Sequence, residues 1–154
     1  MRYSVINNDN QEEIDKVNVL HADLFQTNKS FITKNLDKVH ILGLYNNVDE
    51  IVSYLVYKML DGENACYISF LGTDPKYRGK GLATLLVEQL KQIATELELD
   101  NINLSVRASS ESVKRLYESL GFEQSEFVPE AYKNQGGYRY SYGINKELDG
   151  NIKL

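Results

Sequence analysis

Apolar residues recur with a helical period in two long stretches of the chain. From Gln11 to about Gln26 they are Ile14, Val17, Leu20 and Leu24, a spacing that places them on one face of a helix. The same period returns later in the chain, at Leu82, Leu85, Leu86, Leu90, Ile93 and Leu97. The pattern therefore predicts two amphipathic helices, one near the N-terminus and one in the middle.

Two shorter helices are predicted from weaker signals. One covers about 30–38. The other follows Ser109 or Ser110, either of which suits a helix N-cap. This helix runs to Leu120, and Gly121 ends it.

The segments between these helices are rich in β-branched and aromatic residues, which predicts strands. The predicted strands cover 2–6, 39–45, 50–60, 65–72, 101–106, 122–128 and 138–144. Turn residues at 46–49 and at Asp61-Gly62 separate the second, third and fourth strands, and the flexible Gly136-Gly137 lies between the last two. In the last strand one face carries three tyrosines, which are Tyr138, Tyr140 and Tyr142. We interpret them as core or interface packing; the alternative is the wall of a binding site that makes cation–π contacts to its ligand.

The element order β-α-α-β-β-β-α-β-α-β-β predicts an α/β protein of the α+β type, with a central mixed sheet flanked by helices. The strands at 65–72 and 101–106 are joined by a helix, so they should be parallel. The first strands should form an antiparallel meander. A length of 154 residues suits one domain, for which we predict the bounds 1–146, followed by a short tail over 147–154.

Charge and hydropathy narrow the range of partners. The net charge is −5, from 17 basic and 22 acidic residues, which weighs against nucleic acid because nucleic acid selects basic surfaces. No apolar run approaches the roughly 20 residues that cross a bilayer, and the N-terminal stretch has no apolar signal core. We therefore expect a cytoplasmic protein with no nucleic-acid or membrane partner.

The cysteine and histidine content excludes several kinds of site. Cys66 is the only cysteine, which rules out an internal disulfide and a zinc site built from several cysteines. It lies among apolar strand residues, and we interpret it as a buried structural thiol. His21, interpreted as part of a helix face, and His40, a strand residue, match no metal-binding spacing. No metal cofactor is predicted.

The clearest chemical signal lies just before the central helix, in Arg78-Gly79-Lys80-Gly81. The first amides of a helix have no intrahelical acceptors, and the helix dipole favours an anion at that end. Glycines let a ligand approach the backbone, and Arg78 and Lys80 add positive charge. The segment therefore predicts a phosphate or pyrophosphate site. The alternative is a plain turn with basic residues for solubility.

Two common phosphate-binding loops do not fit this segment. A Walker A loop requires glycine where the chain has Asp74, and serine or threonine where it has Gly81. A dinucleotide fingerprint requires a third glycine at the position of Thr84. The phosphate ligand must therefore be recognised by a different pattern.

The pattern that fits is Arg/Gln-x-x-Gly-x-Gly/Ala, present at 78–83 after TDPKY and before LLVEQL. It resembles the pyrophosphate-binding loop of the GNAT acyltransferase superfamily. A second segment, LSVRASSESVKRLYESLGF at 104–122, resembles the family's later strand and helix. The element order matches the family from Arg2 to about Asn145. The resemblance implies a GNAT-like fold with a splayed pair of parallel strands, and N-acetyltransferase activity.

The resemblance also implies acetyl-CoA as the acyl donor. The pyrophosphate would bind the backbone amides of 78–83, with a charged contact from the Arg78 side chain, and the pantetheine arm would pair with the strand end at 70–73. Ser110 stands where many members carry Asn and could still bind the pantetheine arm, while Val113 stands where Ala is frequent. The implied cofactor-binding residues are Phe70, Leu71, Gly72, Thr73, Arg78, Gly79, Lys80, Gly81, Leu82, Ala83, Ser110 and Tyr117.

The implied chemistry is direct attack of a primary amine on the thioester in a ternary complex. A backbone N–H near Leu71 would stabilise the oxyanion. Tyr117 matches the family's general acid, since a neutral phenol can protonate the departing thiolate. The alternative is that Tyr117 only fills the core.

The sequence leaves the base and the acceptor open. Glu63 and Asp23 are candidate bases, although each is more simply a surface carboxylate. In the family, 25–35 and 129–137 determine the acceptor; small-molecule and peptide amines both stay open, as does a homodimer. The alternative function is a non-catalytic acyl-CoA-binding sensor or interaction module.

Overall fold

The computed structural model describes residues 1–26 and 38–144. The chain divides into two units, the first made of 1–59 and 68–90 and the second of 60–67 and the chain from Lys91 onward. The short helix predicted at 30–38 falls almost entirely on 27–37, outside the described residues. The predicted tail also lies outside them.

The first unit contains an antiparallel meander covered by a helix. Its strands are hydrogen-bonded in the order β1-β2-β3-β4, and β1–β2 and β2–β3 are antiparallel. The elements are β1 (Arg2–Ile6), α1 (Gln11–Phe25), β2 (His40–Tyr45), β3 (Ile51–Met59), the end of β4 (Ala65–Thr73) and most of α2 (Leu82–Glu96). The meander and both long helices are as predicted.

Helix α1 has clear start and stop signals. The Asn10 side chain accepts a hydrogen bond from the Glu13 N–H at 3.3 Å, which satisfies one of the free amides of the first turn. At the other end Gln26 adopts a left-handed conformation and its N–H donates to the Ala22 carbonyl. The helix packs its apolar stripe against the sheet, in a core that includes Ile6, Ile14, Val17, Leu20, Ile41, Tyr45, Tyr54 and Val56.

The second unit contains the start of β4, β5 (Asn101–Arg107), α3 (Glu111–Ser119), β6 (Glu123–Tyr132) and β7 (Gln135–Gly143). Its strands run in the order β4-β5-β7-β6. The β4–β5 pair is parallel and the other pairs are antiparallel. Because β4 belongs to both units, the seven strands form one mixed sheet, with three α-helices in the described part of the chain. This confirms the predicted α/β architecture.

The parallel pair is hydrogen-bonded at its beginning, where 65–67 pairs with 101–103. Two parallel strands that separate toward their carboxyl ends, as predicted, would keep their hydrogen bonds at this starting end. Along β5, Ile102, Leu104 and Val106 are buried as the alternation predicts. They lie opposite the three tyrosines of β7 in the register Ile102–Tyr142, Leu104–Tyr140 and Val106–Tyr138.

The prediction that Gly136-Gly137 is a flexible connection between the last strands is wrong. Both glycines lie inside β7, and the chain reverses before Gln135. A Cβ at Gly137 would lie 2.6 Å from the Tyr132 ring, and one at Gly136 would lie 2.4 Å from the Phe127 ring. These positions therefore require glycine because aromatic rings pack on the strand.

Two leucines of the predicted stripe on α2 are not buried. Leu85 is 38% exposed and Leu97 is 55% exposed. Helix α2 ends at Glu96, and Glu98 has a positive φ of 57°. The turn places Leu99 rather than Leu97 in the core.

Candidate functional site

The end of β4 is tied to its neighbouring strand before the chain turns toward α2. The Asp74 N–H donates to the Val52 carbonyl at 2.8 Å. The Asp74 side chain accepts from the Lys76 N–H at 3.0 Å and caps a single 3₁₀ turn over Pro75–Tyr77. The loop that follows therefore starts from a fixed point.

The two glycines of this loop have the conformation that glycine alone adopts easily. The φ angles are +76° at Gly79 and +78° at Gly81, and within residues 1–26 and 38–144 no heavy atom lies within 4 Å of a Cβ placed at either position. The left-handed region is costly for other residues. The space beside this backbone is also clear, as binding of an anion to the amides requires.

The start of α2 offers amides and positive charge. Its first helical hydrogen bond runs from the Leu85 N–H to the Gly81 carbonyl at 3.0 Å, so the amides just before Leu85 have no acceptor within the helix. The first turn of α2 contains no acidic residue. The Lys80 ammonium lies 5.3 Å from the centre of the Tyr77 ring. These features together suit a pyrophosphate.

Arg78 has a second role that the sequence did not indicate. Its Nε donates to the Thr73 carbonyl at 3.1 Å, so part of the guanidinium connects the loop back to the end of β4. The residue is exposed. It can therefore hold the loop in shape and still contribute charge.

Sequence reasoning missed a buried polar pair beside β4. His21 has no exposed surface, and its Nδ1 lies 2.5 Å from the Tyr54 hydroxyl oxygen. Burial lowers the pKa of His21 and raises the pKa of Tyr54, so both are neutral at pH 7. The sequence feature that could have indicated the burial of His21 is its spacing. His21 follows Val17 by four residues and Ile14 by seven, which places it on the apolar stripe of α1.

In the second unit Tyr117 is 5% exposed. Its ring meets Phe122 edge-on at 5.3 Å. Burial, and to a smaller extent Tyr132, raises the pKa of Tyr117, so the phenol is protonated at neutral pH. No side chain within residues 1–26 and 38–144 takes its hydroxyl proton. The hydroxyl is therefore able to donate.

Ser110 occupies the N-cap of α3, as predicted, but its side chain makes no capping hydrogen bond. Helix α3 ends as Gly121 predicts, with φ +91° at this residue and a hydrogen bond from the Phe122 N–H to the Tyr117 carbonyl at 3.0 Å. This is a Schellman arrangement. It fixes the helical turn that carries Tyr117.

The predicted residues from 70 to 83 all belong to the first unit, where β4, the 3₁₀ turn, the glycine loop and the start of α2 follow one another. Ser110 and Tyr117 belong to the second unit. Asp23 and Glu63 are both exposed, in line with surface carboxylates. In the described part of the chain no group of His, Cys, Asp and Glu side chains could hold a metal ion.

Cys66 is fully buried in β4, and burial raises the pKa of its thiol to about 11. At pH 8 the thiolate fraction is therefore very small. We expect a thiol-modifying reagent to react with the native protein at least about 100-fold more slowly than with the denatured chain. Fast stoichiometric labelling of the native protein would contradict the buried placement.

The model of the acetyltransferase (GNAT) family matches residues 7–122 of the chain. N-alpha-acetyltransferase 30 of Xenopus laevis is 35% identical over 68 residues, which is 44% of this chain and 25% of that protein. A second relative is the acetyltransferase SG1711 of Sodalis glossinidius. The chain therefore spans only 25% of the first relative and 58% of the second.

Solved structures show the same fold. The ribosomal-protein-S18-alanine N-acetyltransferase of Escherichia coli aligns with a TM-score of 0.80 at 18% identity, covering 93% of each chain. Arabidopsis thaliana NAA60 in complex with acetyl-CoA aligns with a TM-score of 0.76 at 18% identity, covering 94% of this chain and 98% of that one. Among the described residues, no helix has the length and apolar character needed to cross a membrane.

Proposed function

Because the chain belongs to the acetyltransferase (GNAT) family, we propose that it transfers the acetyl group of acetyl-CoA to a primary amine by direct attack in a ternary complex. The observation that carries this proposal is the open glycine loop at the start of α2. The loop combines two left-handed glycines, a clear space beside the backbone and two exposed cationic side chains. NAA60, which has the same fold, was solved with acetyl-CoA.

In this proposal the donor is held by one continuous segment. The amides of 78–83 bind the pyrophosphate, and the Arg78 and Lys80 side chains add positive charge. The backbone of 70–73 pairs with the pantetheine arm in the manner of an added strand. The Ser110 hydroxyl, which is not used for capping, donates a further hydrogen bond to the pantetheine.

The transfer itself needs an oxyanion donor and an acid. The amine nitrogen attacks the thioester carbon, and the N–H near Leu71 stabilises the negative oxygen. When the C–S bond breaks, the sulfur takes the hydroxyl proton of Tyr117, and solvent returns a proton to the phenolate. The ammonium form of the acceptor gives up one proton to water before the attack, and the nitrogen gives up a second one to water as the intermediate collapses to the amide. We assign no protein base, because both candidates are exposed carboxylates.

For the acceptor we propose a cytoplasmic primary amine, either a small molecule or a peptide. The net charge of −5 suits a cationic amine, since opposite charge favours encounter. The centre of the tyrosine face of β7 is occupied by Tyr140, which is fully buried, so a homodimer would have to use another surface. Neither point is needed for the chemistry.

The test is calorimetric titration of the protein with acetyl-CoA, followed by an assay of CoA thiol release with a panel of amines. We expect micromolar binding and release of the thiol that depends on the amine. Binding without release for any polyamine, amino acid or peptide amine would favour the non-catalytic sensor. Absence of binding would overturn the proposal, and the glycines would then serve only the turn.

A further inference from the structure

Two consecutive residues of β3, Ser53 and Tyr54, contact the end of β4 from opposite faces of the sheet. Ser53 Oγ donates to the Gly72 carbonyl at 3.0 Å and shares a hydrogen bond with Thr73 Oγ1 at 2.9 Å. The next residue, Tyr54, points to the opposite face, because strand side chains alternate. A Cβ at Gly72 would lie 2.7 Å from Cε1 of Tyr54. The backbone at Gly72 therefore rests directly on the Tyr54 ring.

Tyr54 is itself fixed by helix α1. Its hydroxyl shares a hydrogen bond with His21 Nδ1, with 2.5 Å between the two atoms. The His21 ring also meets Phe70 of β4 edge-on, with 4.4 Å between ring centres. His21 and Tyr54 are both fully buried. A buried polar pair of this kind is costly to leave half satisfied, so the two side chains hold one arrangement.

Resting on the proposed function, we propose that His21 and Tyr54 form a positioning pair that sets the end of β4 at the place required for acetyl transfer. Through the Tyr54 ring the pair supports Gly72, and through the His21 ring it supports Phe70. The proposed oxyanion donor near Leu71 lies between these two points. The pair touches neither donor nor acceptor and acts only through β4.

The effect of this pair should fall on turnover rather than on donor binding. Donor affinity is assigned mainly to the loop at 78–83. Transfer depends on the distance between an N–H donor and a developing oxyanion, and small errors in such positions reduce rates steeply. Removal of the Tyr54 hydroxyl leaves its ring beneath Gly72 but releases the ring from His21.

We expect Tyr54→Phe to lower kcat about tenfold or more, while the Kd for acetyl-CoA changes by less than about twofold. The matched control is Tyr45→Phe. Tyr45 is equally buried and its hydroxyl donates to Glu13 Oε2, also on α1, at 2.6 Å. Because Tyr45 lies on β2, this control should lose similar stability and keep its kcat.

Substitutions at His21 test whether the hydrogen bond is the cause. The Asn side chain has a polar atom at the same distance from the backbone as Nδ1 of His. His21→Asn should therefore keep kcat within about threefold of the parent value. His21→Leu should lower kcat as Tyr54→Phe does. The double variant His21→Leu, Tyr54→Phe should be no slower than either single one, since groups that act as a unit are not additive.

Amide hydrogen exchange at 70–73 provides a readout that needs no activity. Tyr54→Phe should speed exchange there at least about tenfold more than Tyr45→Phe does. An inactive parent would overturn the proposed function. In that case the exchange rates alone would decide whether His21 and Tyr54 position the end of β4. Equal kcat or equal exchange in Tyr54→Phe and Tyr45→Phe would overturn that claim.

Discussion

Gly81→Glu should weaken acetyl-CoA binding by at least about 100-fold while the protein stays folded. The new carboxylate would stand in the clear space beside the loop and repel the pyrophosphate from the amides that start α2. Charge-assisted hydrogen bonds contribute roughly 1.5–3 kcal/mol each, and the loss of one or two corresponds to about two orders of magnitude in Kd. Calorimetric titration of parent and variant measures the change directly.

Gly62→Glu is a closely matched control. Gly62 has φ +75°, against +78° at Gly81, and a Cβ there would also have no heavy atom of the described residues within 4 Å. Each substitution adds one negative charge and forces one side chain into the left-handed region, at a cost of about 1–2 kcal/mol. Gly62 lies in the turn that precedes β4, whereas the loop at 78–83 follows the other end of that strand, so Gly62→Glu should bind acetyl-CoA as the parent does.

The comparison separates binding from strain and net charge. If both variants lose affinity equally, the loss comes from strain or from overall charge and says nothing about the loop. If Gly81→Glu binds as tightly as the parent, the pyrophosphate does not lie at 78–83. Thermal unfolding of both variants checks that each has lost the same amount of stability.

The sequence was most informative where one face of an element is buried. The stripe of α1 and the alternation of β5 were read correctly because burial on one side fixes the period. Leu97 shows the limit of this reasoning, since a single turn residue, Glu98 with φ 57°, ends α2 and exposes a leucine that fits the pattern. Where the backbone changes conformation, periodicity no longer indicates which residues are buried.

Glycines were harder to interpret, because glycine serves two different purposes. Gly79 and Gly81 have positive φ, with open space around them among the described residues, and the sequence context predicts a loop that needs glycine there. Gly72 and Gly137 have aromatic rings packed where a Cβ would be. Those rings come from residues that the sequence pattern does not associate with the glycines, so the sequence predicts a flexible connection at Gly137 where the structure has a strand.

The pair formed by His21 and Tyr54 could not be predicted for a related reason. The two residues are 33 positions apart, and only the packing of α1 on β3 brings them together. Spacing places His21 on the buried face of α1, but no nearby feature of the sequence identifies Tyr54 as its hydrogen-bond partner. Side-chain pairs between elements are a property of the packed fold, and so the support beneath β4 appears only in the structure.

Tyr117→Phe should lower kcat by about 10²–10⁴-fold, the usual contribution of a general acid, with little change in the Kd for acetyl-CoA. The ring would still pack on Phe122, so only the donated proton is lost. Burial raises the pKa of Tyr117, and the phenol therefore keeps its proton beyond its ordinary value of about 10. Accordingly, the parent should show no loss of rate from this group up to about pH 10.

Tyr140→Phe is the control, since Tyr140 is also a buried tyrosine of the second unit, with its hydroxyl donating to the Glu118 carboxylate at 3.0 Å. That variant should lose about 1 kcal/mol of stability and keep its kcat. Unchanged turnover in Tyr117→Phe would remove Tyr117 from the mechanism and leave it as a core residue. An acetyl thioester whose thiol has a lower pKa gives a further test of the acid role. Its thiolate can depart without a proton from an acid. This donor should therefore restore much of the lost rate in Tyr117→Phe and bring no comparable gain in the parent or in Tyr140→Phe.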